Sequence, residues 1–126
     1  MKRSGFGLGL LLVVLLLGVV SSWLMVADTV PMAEAMEQAG EGALREDWGS
    51  AEAIFTGVRA HWDRRYPFYA AFTDHEPMED INGLLAQLEI YARIRDHRAF
   101  AAVCAQISGD LEAIGEAHSL KWWNLL

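Results

Sequence analysis

The sequence predicts an all-α protein: one N-terminal transmembrane helix followed by an antiparallel four-helix array made of two αα-hairpins. Three observations carry this expectation. Phe6 to Ala27 is a run of 22 residues without a charge. Beyond it, apolar residues recur at three-and-four spacing in four successive segments, which is the period of one helix face. The second half of that region can also be laid over the first at a constant offset, hairpin on hairpin.

The uncharged run comes first. At about 1.5 Å per residue it reaches about 33 Å, which matches one crossing of a hydrocarbon core about 30 Å thick. Lys2 and Arg3 precede it, the next basic residue is Arg45, and Asp28, Glu34 and Glu37 follow it. That bias leaves residues 1–5 in the cytoplasm, residues 6–27 in the lipid bilayer and the rest outside, as a single-pass signal-anchor protein of the cell membrane. Trp23, near the far end, suits the headgroup layer. A cleaved signal peptide is the competing reading, with Leu8 to Val20 as its apolar core and Val20-Ser21-Ser22 as the cleavage site. Apolar residues that continue through Ala27 weigh against it, and the domain is exported on either reading. Cys104 lies too far downstream to carry a lipid attached during export. Gly5 and Gly9 stand four apart, a spacing that lets two helices approach, so a homodimer through them is the minor reading beside ordinary membrane-edge glycines.

Residues 28–119 are expected to form the four-helix domain and residues 120–126 an apolar C-terminal tail. Pro31 is expected to separate anchor from domain. Met32, Ala35, Met36, Ala39 and Ala43 make the stripe of a first helix ending near Arg45, weakened by Gly40 and Gly42. Asp47 caps a second helix with Ala51, Ile54, Phe55, Val58 and Trp62 on one face and Arg59, Arg64 and Arg65 towards its C-terminal end. Pro67 is expected to end or kink that helix, leaving Phe68 to Phe72 as an aromatic connector or a further helical turn. Thr73 and Glu76 have capping-box spacing and Pro77 suits a first turn, so Thr73 is expected to cap a third helix. Its stripe is Ile81, Leu84, Leu85, Leu88, Tyr91 and Ala92. Asp96 caps a fourth helix with Phe100, Val103, Cys104, Ile107, Leu111 and Ile114, fading after Gly115. An offset of 49 positions lays Met32 on Ile81, Asp47 on Asp96 and Trp62 on Leu111.

All 17 acidic residues follow Ala27, but only 8 of the 10 basic ones do. So acidic a surface argues against nucleic acid and against docking flat on anionic lipid. A single cysteine excludes an intramolecular disulfide, so stability must come from packing.

Candidate chemistry is sparse. His75 and Glu79 lie four apart and can share a ligand, with Glu76 and Asp80 beside them. A structural zinc site takes four ligands and a catalytic one three, and acids in a first helical turn complement the helix dipole. The capping reading therefore outweighs metal, and no cofactor is expected. His61, His97 and His118 have no local partner pattern. Cys104 reads as a small buried hydrophobe, and no nucleophile elbow or phosphate loop is present. Trp122, Trp123, Leu125 and Leu126 place four large apolar groups at one chain end. The domain itself, a partner's groove or the membrane can cover them.

Glu46-Asp47-Trp48 opening a helix that carries Trp62, Phe72-Thr73-Asp74-His75-Glu76 before a helix with Ile81, and Asn124-Leu125 near the end make the chain similar to the bacterial domain-of-unknown-function family 4363. The resemblance covers nearly the whole chain and implies a small membrane-anchored protein without assigned activity. It also implies a membrane partner, since members accompany a multi-span membrane protein family. The expected role is that of a non-catalytic accessory or scaffold subunit presenting a helical protein-protein interaction domain to another envelope protein. The alternative is a sensor domain that binds a metal or small ligand near His75 and Glu76.

Overall fold

The computed structural model describes residues 2–123 and, among these, the side chains of residues 3–117. The described residues form four α-helices and no strand: α1 (Lys2–Leu44), α2 (Trp48–Phe72), α3 (His75–Ile94) and α4 (His97–Trp123). Connections of two or three residues join them. α1 packs most extensively on α4 and next on α2, while α3 lies on α4 and touches α2.

α1 runs unbroken for 43 residues, about 65 Å at 1.5 Å per residue. It is long and apolar enough to cross a membrane. Pro31, expected as a boundary, lies inside it. A proline leaves the carbonyl four residues back without its N–H partner, but here the ring faces the surface while Thr29, Met32, Ala33 and Met36 are buried around it. Packing on both sides of the break therefore holds the helix. One face of α1, Gly18, Ser21, Met25, Thr29, Met32, Met36, Ala39 and Ala43, is buried at helical spacing. The expected division at residues 27 and 28 thus falls within one helix, and burial begins earlier, at Gly18. Two hydroxyls on this face bond their own backbone: Ser21 Oγ donates to Gly18 O at 3.0 Å and Thr29 Oγ1 to Val26 O at 3.4 Å.

Pro67 likewise lies inside α2, which continues to Phe72, so the aromatic connector is helical. Tyr69 is 1% exposed and stacks obliquely on buried Trp62 at 5.3 Å between ring centroids, which secures the turn beyond the proline. The Trp62 indole N–H donates to Asn82 Oδ1 of α3 at 2.8 Å. At the other end Phe100 of α4 meets Trp48 edge-on at 5.3 Å and Phe55 at 6.2 Å. α4 does not fade after Gly115 but continues to Trp123.

Gly40 is a point of close approach of α1 and α4. A Cβ there would stand 3.2 Å from the Cβ of Cys104 and 3.5 Å from the Ala101 backbone. A glycine that costs helix propensity thus admits a neighbouring helix.

The turns after α1 and α3 share one construction, 49 positions apart. Glu46 and Arg95 both adopt the left-handed conformation, with φ of 59° and 55°. Asp47 N–H donates to Gly42 O at 2.9 Å and Asp96 N–H to Tyr91 O at 3.0 Å, the long bond of a Schellman motif. Each aspartate then turns to the next helix: Asp47 Oδ1 accepts from Ser50 N–H at 3.3 Å and Asp96 Oδ1 from Ala99 N–H at 3.1 Å. Every one of these bonds has its counterpart at the offset found in the sequence.

Candidate functional site

Among the described residues, polar groups gather at the end of the uncharged run and between α3 and α4, among other places. At the first of these, Asp28 receives three groups of α2: Arg65 Nε at 3.1 Å, Tyr69 Oη at 3.1 Å, which donates, and His61 Nε2 at 3.7 Å. The three lie on successive turns of α2 because they are four residues apart. Burial pushes the Tyr69 phenol above its ordinary range, and the Asp28 charge and hydrogen bond push it further. Tyr69 therefore stays a neutral donor. No sequence pattern flagged this clamp, although His61, Arg65 and Tyr69 at four-residue spacing opposite a lone aspartate are legible once the two helices are known to pack.

The second place is a cleft of about 450 Å³ between the start of α3 and the latter part of α4, lined by Thr73, Asp74, Glu76, Pro77, Asp80 and Asp110 among others. Burial and the charge of Asp80 raise the Asp110 carboxyl above its ordinary range. Such a wall favours cationic groups. Thr73 does not cap α3. The N-cap is Asp74, and it makes no side-chain cap bond. Thr73 instead closes the end of α2, its N–H donating to Tyr69 O at 2.8 Å, while its Oγ1 is buried without a hydrogen-bond partner. The capping box fails because α2 extends past Pro67 and takes Thr73 as its own terminus.

His75 and Glu79 are both exposed on α3, and His75 does not line the cleft. Among the described residues, no group of three or more His, Cys, Asp and Glu is gathered as metal ligands. Cys104 is buried, and burial pushes its thiol up to about 12. Gly5 and Gly9 have open space around them. The side chains of His118, Trp122 and Trp123, and residues Leu125 and Leu126 altogether, lie outside the described residues.

A third feature is a groove of about 430 Å³ between α1 and α2, lined by Ala27, Pro31, Ala35, Ala53, Gly57 and His61 among others. Small residues share its lining with Met32, Ile54 and Val58, and of these Met32 and Val58 are buried.

No curated protein and no solved structure matches this chain. A family model does match, over residues 20–125, which take in the last part of the uncharged run, the later part of α1 and all of α2, α3 and α4. The chain therefore belongs to the family described as Domain of unknown function (DUF4363).

Proposed function

We propose that this is a single-pass membrane protein, amino end in the cytoplasm, whose α1 crosses the bilayer and continues as the central helix of an antiparallel four-helix bundle outside. It acts as a non-catalytic accessory or scaffold subunit for another envelope protein. The observation that carries this reading is the continuity of α1. Its large apolar residues from Phe6 to Val20 are exposed, apart from half-buried Leu15, and the same helix becomes a buried core stripe from Met25 to Ala43. A bare apolar segment needs lipid around it, and a rigid helix transmits its position to the bundle. The contacts support the antiparallel arrangement. Thr29, Glu37 and Gly40 of α1 meet Gly115, Ser108 and Cys104 of α4 in turn, so positions rise on one helix as they fall on the other.

Native mass spectrometry of the complex extracted from its own membranes tests the reading. An uncleaved chain carrying a second membrane protein in fixed stoichiometry is the expected result. A chain cleaved near Ser22 and found alone overturns it.

The acidic cleft beside Glu76 favours one second reading, a sensor domain that takes a cationic small ligand. Glu76→Ala would then abolish ligand binding in a folded chain, while His75→Ala, outside the cleft, would not. If the two residues are only first-turn helix groups, the sole effect is a stability loss of about 1 kcal/mol or less.

A further inference from the structure

We infer that the α2–α3 corner of the bundle sits in the headgroup layer of the same bilayer that holds α1, with Phe72 of the corner and Trp23 of α1 as the lipid-facing residues at that level. The inference rests on the proposed membrane anchoring and adds to it where the domain stands.

Length makes the argument. The bare part of α1 runs from Phe6 to the level of Gly18, where the buried face begins. Those steps reach about 18 Å, whereas the hydrocarbon core is about 30 Å thick. A bundle held wholly in water would leave about 12 Å of hydrocarbon uncovered. α1 is one helix, so no flexible link can lift the bundle clear. Its membrane end therefore reaches into the interface.

The residues displayed at that level suit it. Tyr69 and Arg65 meet Asp28, so Phe72 of α2 stands level with residues 21 to 25 of α1. Phe72 is 45% exposed, Trp23 69% and Leu24 39%. Phe68, half-buried, backs Phe72 at 5.1 Å between ring centroids. Exposed aromatic rings at a helix end beside a membrane span are the groups that partition into the headgroup layer. Asp74, His75 and Glu76 follow directly and are exposed. They set the depth, because the two carboxylates and the polar imidazole stay hydrated among headgroups and do not enter hydrocarbon. A chain with a formal charge of −7 favours zwitterionic over anionic lipid as the seat.

The test uses the full chain with Cys104→Ala, reconstituted in phosphatidylcholine vesicles, with a nitroxide on Leu12→Cys, Ala71→Cys or Ile94→Cys in turn. Collision rates with oxygen, which enters lipid, and with a nickel chelate, which does not, report depth. The expected result is a Leu12 site open to oxygen alone, an Ile94 site open to the chelate, and an Ala71 site several-fold less open to the chelate than Ile94. Adding Phe72→Glu should restore chelate access at Ala71 and leave Leu12 unchanged. An Ala71 site as open as Ile94, with Leu12 still in lipid, overturns the seat and leaves the anchor standing. A Leu12 site open to the chelate overturns the anchor itself. Shielding at Ala71 that grows with protein-to-lipid ratio and brings spin–spin broadening marks a second copy on the corner, and overturns lipid as its occupant.

Discussion

The repeated turn offers a clean perturbation, Glu46→Gly compared with Arg95→Gly. Both residues hold a left-handed φ, 59° and 55°, in otherwise matching Schellman turns. An L-residue with a Cβ pays about 1–2 kcal/mol for that conformation, and glycine does not. Glycine's extra freedom in the unfolded chain returns part of this, so Glu46→Gly should stabilise by about 0.5–1 kcal/mol. Arg95 differs in its surroundings. Its guanidinium contacts Glu52 Oε1 at 2.9 Å and lies over the Trp48 ring at 5.1 Å. Both groups of the ion pair are about half exposed, so the pair is worth under about 1 kcal/mol, and the ring contact about as much. Arg95→Gly should therefore come out near zero. Thermal unfolding of the full chain in detergent, followed by helical circular dichroism, reads the difference. An increase of about 2–6 °C for Glu46→Gly and little change for Arg95→Gly is expected. A loss of stability in Glu46→Gly, or a larger gain in Arg95→Gly, would refute the reasoning.

Further outcomes follow from the same contacts. Gly57→Ala, on the exposed side of α2 with nothing near its Cβ, should stabilise by about 0.8 kcal/mol, while Gly40→Ala should destabilise by about 1 kcal/mol as the Cys104 Cβ is pushed away; denaturant titration of both checks the sign. Asp28→Ala should cost about 1.5–3 kcal/mol by removing the charged acceptor of Tyr69 and Arg65, and Asp28→Asn less, as seen in the same titration. Asp110 binds its proton more tightly folded than unfolded, so its effect on stability is most favourable below the ordinary carboxylate range and is lost as pH rises through the raised value. Asp110→Asn should then stabilise at neutral pH, with the gain vanishing in acid. Cys104 should react with a thiol reagent only as fast as the domain opens, because burial keeps it a thiol.

Much of the fold is legible in the sequence because the core stripes are strictly periodic. Trp62, Leu85, Leu88, Phe100, Cys104 and Ile107 are all buried as their spacing predicts. The turns are legible because aspartate at an N-cap is a local signal, and Asp47 and Asp96 both accept the bond it implies. The helix ends near proline are not. Pro31 and Pro67 are local breakers, and only tertiary packing around Met32, Met36 and Tyr69 overrides them. Thr73 carries the capping-box pattern but is taken by the longer α2, a competition that spacing alone cannot decide. The buried face inside the apolar run is present as Gly18, Ser21 and Met25 at three-and-four spacing, continuing to Thr29 beyond it. It is hidden there because every neighbour is apolar too, and hydropathy does not distinguish a lipid face from a helix-packing face. The Asp28 clamp and the acidic cleft join residues distant in sequence, so no single stretch announces either.

The central claim, a bundle held outside a membrane that α1 crosses, is tested most directly by labelling sealed cells with a membrane-impermeant maleimide. Two full-length variants in a Cys104→Ala background suffice, Ile94→Cys on the bundle and Ser4→Cys before the apolar run. Ile94→Cys should label at once, Ser4→Cys only after the membrane is permeabilised, and both chains should stay with the membranes at alkaline pH. Release of the chain at alkaline pH, or an Ile94→Cys site that labels only after permeabilisation, would contradict the claim.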